Sequence, residues 1–465
     1  MLPFLPIFTL AQATPTPTPS PTPQIEIVQP QQVRAIPGKL DDVPVFNSNS
    51  PELVQKEGIL LSTFPPNGKA SPAAHLNFLF QGRFDIFAHH IAKAATPEDL
   101  RTLYLGIIVY NPSQEPVTVD ILQTASYLSQ PDAPFIELPP VVDNPVGAVY
   151  AGPGSRVMSD ILLGRHQADF PPQLVIPPQQ SQMLLNLPIP VRTLEPPING
   201  RSTLMRLRSN GMVYVASLAR YAPLDADGNE RSPTLEEWQQ LLDQGELSGP
   251  RDRAPTSPEI TKGQIIYGRV AGVAQGSRWQ AQLVDSPTTQ SLTIPQPGQA
   301  FSYGLSTLPR GTLGTSQSQS APMLVRYPDT AYLANGNYGV EYSLTLPLVN
   351  PTSNTQTVTL ALQTPLKEDQ PIEGLRFLEP PAKQVFFRGS VEIRYKDDAG
   401  LPRTRYVHLV QRRGQLGEPL VTLNMPPRDQ RLVQVNFLYP PDATPPQVLT
   451  VKTLEQPNPN PGQPN

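Results

Sequence analysis

Asp225, Asp227, Asn229 and Glu236 occupy the first, third, fifth and twelfth places of the stretch DADGNERSPTLE. Side-chain oxygens at that spacing wrap a hard cation, and a distal glutamate closes the shell, as in a calcium-binding loop. The sixth place, where the sharp turn calls for glycine, holds Glu230, and no helical pattern enters the loop. The same residues also suit a plain Asp/Asn/Gly turn running into a capped helix. Calcium is the one cofactor the sequence suggests.

A second constellation lies in residues 376–413, with nine Lys/Arg against four Asp/Glu in a chain of net charge −4. A basic face built on Arg388, Arg394, Arg403 and Arg405 could bind acidic polysaccharide or phosphate groups. The alternative is a solvated hairpin with cross-strand ion pairs. His89 and His90, close to Asp85, have metal-ligating side chains. They sit in the strand-like run GRFDIFAHHIA, however, where neighbouring side chains point to opposite faces, so structural roles are expected. GPGSR (152–156) and QGSRW (275–279) each place a serine after glycine, but neither forms a nucleophile elbow, and no histidine or acid partner can be assigned. Paired carboxylates for glycoside hydrolysis remain open, because their separation is set by the fold. With only Trp238 and Trp279, a sugar-stacking ladder is weak. No phosphate-cradling glycine loop follows a strand.

The elements that must position these groups are strands. The 60 prolines in 465 residues far exceed the usual share of about 5%. Many separate alternating apolar runs, which suits loop-rich β structure. The length suggests two or three domains. The mild net charge gives no argument for nucleic acid, and the lack of cysteine excludes disulfides and thiolate chemistry.

IIVYNPSQEPVTVDILQT (107–124) and LTLPLVNPTSNTQTVTLALQT (344–364) are nearly the same phrase. In the first, Leu103, Leu105, Ile107 and Val109 share one face, as do Val117, Val119 and Ile121 after the Asn111-Pro112 turn. In the second, Tyr342, Leu344, Leu346 and Leu348 precede Asn350-Pro351, and Val358, Leu360 and Leu362 follow it. LSTFP at 61 returns as LSTLP at 305, FIELPP at 135 as FLEPPA at 377, and IPPQQSQMLL at 176 as MPPRDQRLVQ at 425. Four pairs in one order predict a doubled unit. The fold expected is all-β, with two tandem related β-sandwich domains of immunoglobulin-like rhythm over 31–222 and 263–452. Residues 223–262 are expected to form a helical connector. Within it, Ser232-Pro233 opens a helix that Gly245 ends, and a further helix is expected from Thr96-Pro97-Glu98-Asp99. Hairpins are expected at Asn210-Gly211 and at the Asp-Asp-Ala-Gly loop of 397–400.

At the N-terminus, MLPFLPIFTLAQA has an apolar core and a small-x-small end, as in a signal peptide over 1–13, though without a basic start. A Pro/Thr-rich linker (14–30) follows, and the tail 453–465 is expected to be disordered. No later run reaches the roughly 18–20 apolar residues that span a bilayer.

The stretches LDDVPVFNSNSPELV (40–54), FQGRFDIFAHHIAKA (80–94), INGRSTLMRLRS (198–209) and GRVAGVAQGSRWQA (268–281) resemble a cyanobacterial family of exported proteins of unknown function, domain-of-unknown-function family 3370. The likeness runs from about residue 25 to 452. It implies an envelope or extracellular setting and supplies no activity or site residues. The function expected is therefore a non-enzymatic structural or binding role at the cell envelope, in the periplasm or at the surface, toward polysaccharide or another envelope protein. A periplasmic carbohydrate-active hydrolase using paired carboxylates is the alternative. A third option is an assembly factor whose open strand edges pair with clients.

Overall fold

The computed structural model describes residues 23–455 except 95 and 261. The expected signal peptide, residues 14–22 of the linker and residues 456–465 of the tail lie outside the described residues. The described chain is mostly β, in four sheets, with two α-helices, α1 (Pro153–Leu162) and α2 (Leu235–Gln244), and a short 3-10 turn at Pro72–Ala74.

The C-terminal half stacks a five-stranded sheet on a seven-stranded one. Tyr342, Leu344, Leu346 and Leu348 are fully buried between the two, as the alternation predicts, and face Val358, Leu360 and Leu362 of the other sheet. Each strand thereby hides one face from water, and apolar burial of this kind contributes roughly 1.5–3 kcal/mol per large side chain. In the N-terminal half two layers also pack face to face, over Phe46, Phe84, Ile86, Leu105, Ile107, Val119 and Leu207. They are joined by one long strand, Ile198–Tyr221, which pairs in one layer with Phe80–Lys93 and Val117–Leu128 and in the other with Gly58–Ser62 and Leu103–Tyr110.

That strand corrects the hairpin expected at Asn210-Gly211. The chain does not reverse there: its register shifts between Ser209 and Val213, and the strand passes from one layer to the other. Asn210 Oδ1 accepts from the Thr118 amide at 2.8 Å. At Gly211 a Cβ would come within 2.6 Å of Val117, so the dipeptide serves close approach rather than a turn. The hairpin at 397–400 does form, joining Val385–Lys396 to Pro402–Arg412. The helix expected from Thr96 is a single turn, with Asp99 N on Thr96 O at 3.1 Å. Strand Leu103–Tyr110 begins too soon afterwards for a helix to repay its nucleation cost. The helix after Ser232-Pro233 does form as α2, but its cap is Thr234, in a reciprocal capping box with Glu237.

The two Asn-Pro phrases build the same turn. Asn111 Nδ2 donates to Glu115 O, Ile176 O and Pro177 O (2.7, 3.1 and 3.2 Å), and its Oδ1 accepts from the amide and hydroxyl of Ser113. Asn350 Nδ2 donates to Asn354 O, Met425 O and Pro426 O (2.8, 2.8 and 3.0 Å), and its Oδ1 accepts from the amide and hydroxyl of Thr352. Each turn carries the chain from one sheet to the opposite one. Strand pairing beside the turns matches too. Leu103–Tyr110 pairs with Ser181–Ile189 and Val117–Leu128 with Gln173–Ile176, as Glu341–Val349 pairs with Gln430–Leu438 and Gln356–Gln363 with Val421–Met425. Gly58–Ser62 departs from this, lying in the layer opposite Val117–Leu128, whereas Ala300–Leu305 shares a sheet with Gln356–Gln363.

Strand pairing crosses the expected boundaries. Ile25–Gln29, expected as linker, pairs with Leu375–Glu379, and Gln32–Arg34 adds to Ala300–Leu305. Val141–Asp143 extends the seven-stranded sheet beside Pro402–Arg412, while Ala271–Gln275 joins the N-terminal half beside Pro44–Ser48. The segment expected as a connector is no free link. Trp238 and Leu242 of α2 lie against Ile59, Ile108, Ala216 and Leu218, covering the outer face of the N-terminal half.

Candidate functional site

The residues singled out for metal binding do not come together. Asp225 Oδ1 accepts from the amides of Asp227 and Asn229 at 2.9 and 2.8 Å, closing a tight turn. These backbone bonds, led by that of Asn229, hold its carboxyl below the usual range. Glu236 belongs to the first turn of α2. Among the described residues no group of three or more His, Cys, Asp or Glu forms a metal-holding cluster. His89 and His90 diverge as a strand requires. His89 Nδ1 meets Ser202 Oγ at 2.8 Å, while His90 lies between Ser48 Oγ (2.9 Å) and Pro51 O (2.8 Å). Burial holds them down to about 3 and about 4 respectively, so both are neutral.

The basic stretch is also dispersed. In the hairpin register Arg394 faces Thr404 and Arg388 faces Val410, whereas Arg405 and Arg403 oppose Ile393 and Tyr395. The four arginines therefore divide between the two faces of the hairpin. Arg394 pairs with Glu392 and Arg403 with Asp397, both at 2.7 Å, and Arg405 pairs with Asp143 at 2.8 Å. Arg388 sits 5.1 Å from the Phe135 ring centroid. Charge counted within the window misses Asp143, which lies far away in sequence.

What the sequence did not disclose is a groove of about 880 Å³ over the five-stranded sheet. Residues on the face of that sheet turned away from the core form its floor. Thr450 Oγ1 donates to Gln363 Oε1 at 2.7 Å and lies 2.7 Å from Ser302 Oγ, which in turn reaches Gln31 Oε1 at 3.1 Å. This polar row crosses three strands. Six glutamines line the groove (Gln29, Gln31, Gln32, Gln296, Gln299 and Gln363), with Thr293, Thr359, Lys452 and an apolar rim of Pro295, Leu416 and Leu454. Arg34 stacks over Phe301, 3.8 Å from the ring centroid. Asp285 is the one carboxylate of the lining, and it accepts from Thr293 Oγ1 at 2.6 Å. Amides and hydroxyls at fixed spacing can donate to and accept from a neutral polyhydroxylated chain. The signal for the floor is visible in hindsight, because Thr359, Ala361 and Gln363 are the small and polar residues alternating with Val358, Leu360 and Leu362.

A smaller cleft of about 470 Å³ is lined by Glu52, His89, Phe135, Asn199 and Asp442. Burial pushes the Asp442 carboxyl up to about 6 and raises that of Glu52, although Glu52 is ion-paired with Arg269. Here three carboxylates share one cleft, Glu52 and Glu195 from the N-terminal half and Asp442 from the C-terminal half.

Among the described residues no helix is long and apolar enough to cross a membrane. No curated protein matches the chain. Two solved plant structures align along most of it. Procruciferin, an 11S globulin from Brassica napus, has 9% identity over 86% of this chain and 85% of that one, with a TM-score of 0.10. An 11S globulin from Wrightia tinctoria has 10% identity over 92% and 87%, with a TM-score of 0.09. The family model described as protein of unknown function (DUF3370) matches residues 31–453, and the chain belongs to that family.

Proposed function

We propose that the chain is an exported, non-enzymatic binding protein of a cyanobacterial cell envelope, and that the groove over its five-stranded sheet holds a strand of envelope polysaccharide. The scaffold is a doubled immunoglobulin-like β-sandwich unit, a reading supported by the two equivalent Asn-Pro turns and by the two matched strand pairings on either side of them. The observation that carries the ligand class is the groove lining. Six glutamine amides and a hydrogen-bonded row of hydroxyls suit sugar hydroxyls, and one lone carboxylate, Asp285, leaves no acid pair for hydrolysis in that groove.

The test is a glycan array and pull-down on purified envelope polysaccharide, with the full chain and with Gln363→Ala and Thr450→Val. Retention that both substitutions weaken supports the reading. Equal retention by all three, or none at all, refutes it. Fractionation of cells carrying a tagged chain tests export, and an uncleaved chain found only in the cytosol would refute it.

The hydrolase reading is favoured by one observation, the shared cleft of Glu52 and Asp442 with their raised proton affinities. Turnover of an envelope glycan that either Glu52→Gln or Asp442→Asn abolishes would replace the binding reading with it.

A further inference from the structure

Between the two halves of the chain lies a separate cavity of about 180 Å³. Asn47, in strand Pro44–Ser48, and Asn49, just beyond it, line the cavity from the N-terminal half; Gly336, Tyr338 and Thr444 line it from the C-terminal half. Both asparagines are at most 5% exposed, and the Oδ1 of each has no hydrogen-bond partner. A buried acceptor left without a donor is costly, and native proteins seldom tolerate one without a reason. The other two asparagines of the lining show what a structural role looks like. Asn337 donates to Gln319 O and to the Tyr342 hydroxyl and accepts from the Ala321 amide. Asn335 donates to Leu333 O and meets the Ser320 hydroxyl. The Asn47 and Asn49 oxygens are left over.

We propose that this cavity is a binding site for a single sugar residue, whose hydroxyls donate to Asn47 Oδ1 and Asn49 Oδ1. Residues two apart on an extended strand lie about 6.6 Å from one another on the same face, so two hydroxyls of one ring can reach both. The space is many times what one water needs. Tyr267 and Tyr338 give it aromatic walls. Amide oxygens can also hold a bare cation, but Arg269 and Lys367 border the cavity and no carboxylate lines it. The site is distinct from the groove and does not depend on the reading given for it.

Saturation-transfer NMR of the full chain with glucose, galactose, mannose, N-acetylglucosamine and glucuronate tests the proposal. The expected result is binding of at least one of these. Affinity should fall about tenfold or more in Asn47→Leu/Asn49→Leu and stay unchanged in Lys39→Ala, an exposed site that lines neither the cavity nor the groove. Leucine removes the orphaned acceptors at similar volume, so the double variant should melt no lower than the natural chain, which a structural role for the amides would not allow. Binding by none of the five sugars, or equal binding by the double variant, overturns the proposal. If the double variant does not fold, a crystal of the natural chain soaked with the best-bound sugar decides. A sugar ring against both asparagines supports the site, and ordered water only overturns it.

Discussion

Replacing Asn111 and Asn350, one at a time, by alanine asks whether the two turns are physically equivalent. Each asparagine is fully buried, and each Nδ2 serves three backbone carbonyls while each Oδ1 serves the residue two positions on. An amide group has two protons, so truncation leaves about two acceptors without a full donor and also releases the local turn. Net hydrogen bonds contribute roughly 0.5–1.5 kcal/mol, and an orphaned buried partner costs roughly 1–3 kcal/mol. The expected loss is about 2–4 kcal/mol at either site, a large fraction of a typical stability of 5–15 kcal/mol. Because the partner sets match, the two losses should agree within about 1 kcal/mol. Urea unfolding followed by far-UV circular dichroism measures both. Intrinsic fluorescence adds local detail, since Trp238 packs on the N-terminal half and Trp279 lies in the seven-stranded sheet. A loss below about 0.5 kcal/mol at one site beside more than about 2 kcal/mol at the other would refute the equivalence.

Trp238→Ala should cost about 3–5 kcal/mol and expose the segment around α2 to protease, since this side chain is fully buried against the N-terminal half; protection equal to that of the natural chain would contradict the packing. Burial holds His75, His90 and His408 down to about 4 and His89 to about 3, against 6.5 when unfolded. The unfolded chain therefore binds more protons below pH 6.5, and stability should fall from there toward about pH 4, by up to about 1.4 kcal/mol per pH unit for each histidine. Asp442, raised to about 6 from 3.8, works in the opposite sense between those values. His90→Gln should shallow the slope by about one proton, and a slope as steep as before would count against the assignment. Calcium or a chelator should leave the melting temperature unchanged, because Asp225 spends its carboxylate on its own turn; a calcium-dependent rise would mean that the loop can rearrange to gather Asp227 and Glu236.

Alternation was a reliable guide where one face alone is buried. Tyr342 to Leu348 read correctly because every second residue meets the opposite sheet. It said less where both faces are covered. Ile108 interrupts the pattern of Leu103–Tyr110 because α2 shields that side, and Gly106 is needed there because a Cβ would come within 2.7 Å of the Trp238 ring. Asn210-Gly211 misled because local turn chemistry cannot reveal that the long strand must pass between layers. Helix α1 was missed because its start, Gly152-Pro153, invites a turn and its apolar residues Val157, Met158 and Ile161 are few. The groove and the seam cavity escaped notice for another reason. Their residues are glutamines, threonines and asparagines without a spacing rule, gathered only by strand register.

The exchange of strands between the halves bears on all these sites. Residues 141–162, inserted between two strands of the N-terminal half, supply Val141–Asp143 to the seven-stranded sheet and α1 to its surface. There Ser155 Oγ meets His408 Nε2 at 2.9 Å, and Ser390 donates to Ser159 at 3.1 Å. In return the C-terminal half gives Ala271–Gln275 and Ala321–Arg326 to the N-terminal layer. Separating the halves would break backbone ladders in both directions and leave Phe87, Ala125 and Leu204 of the N-terminal half without their place in the shared core. Interfaces that small tandem domains slide across are more polar and carry no shared ladder. The two halves should therefore unfold in one step, with fluorescence and circular dichroism coincident, and a clear second transition would mean that the exchanged strands contribute little. A rigid seam also fixes the spacing of Asn47 and Asn49 against Tyr338, which a preorganised binding cavity requires and a hinge would spoil.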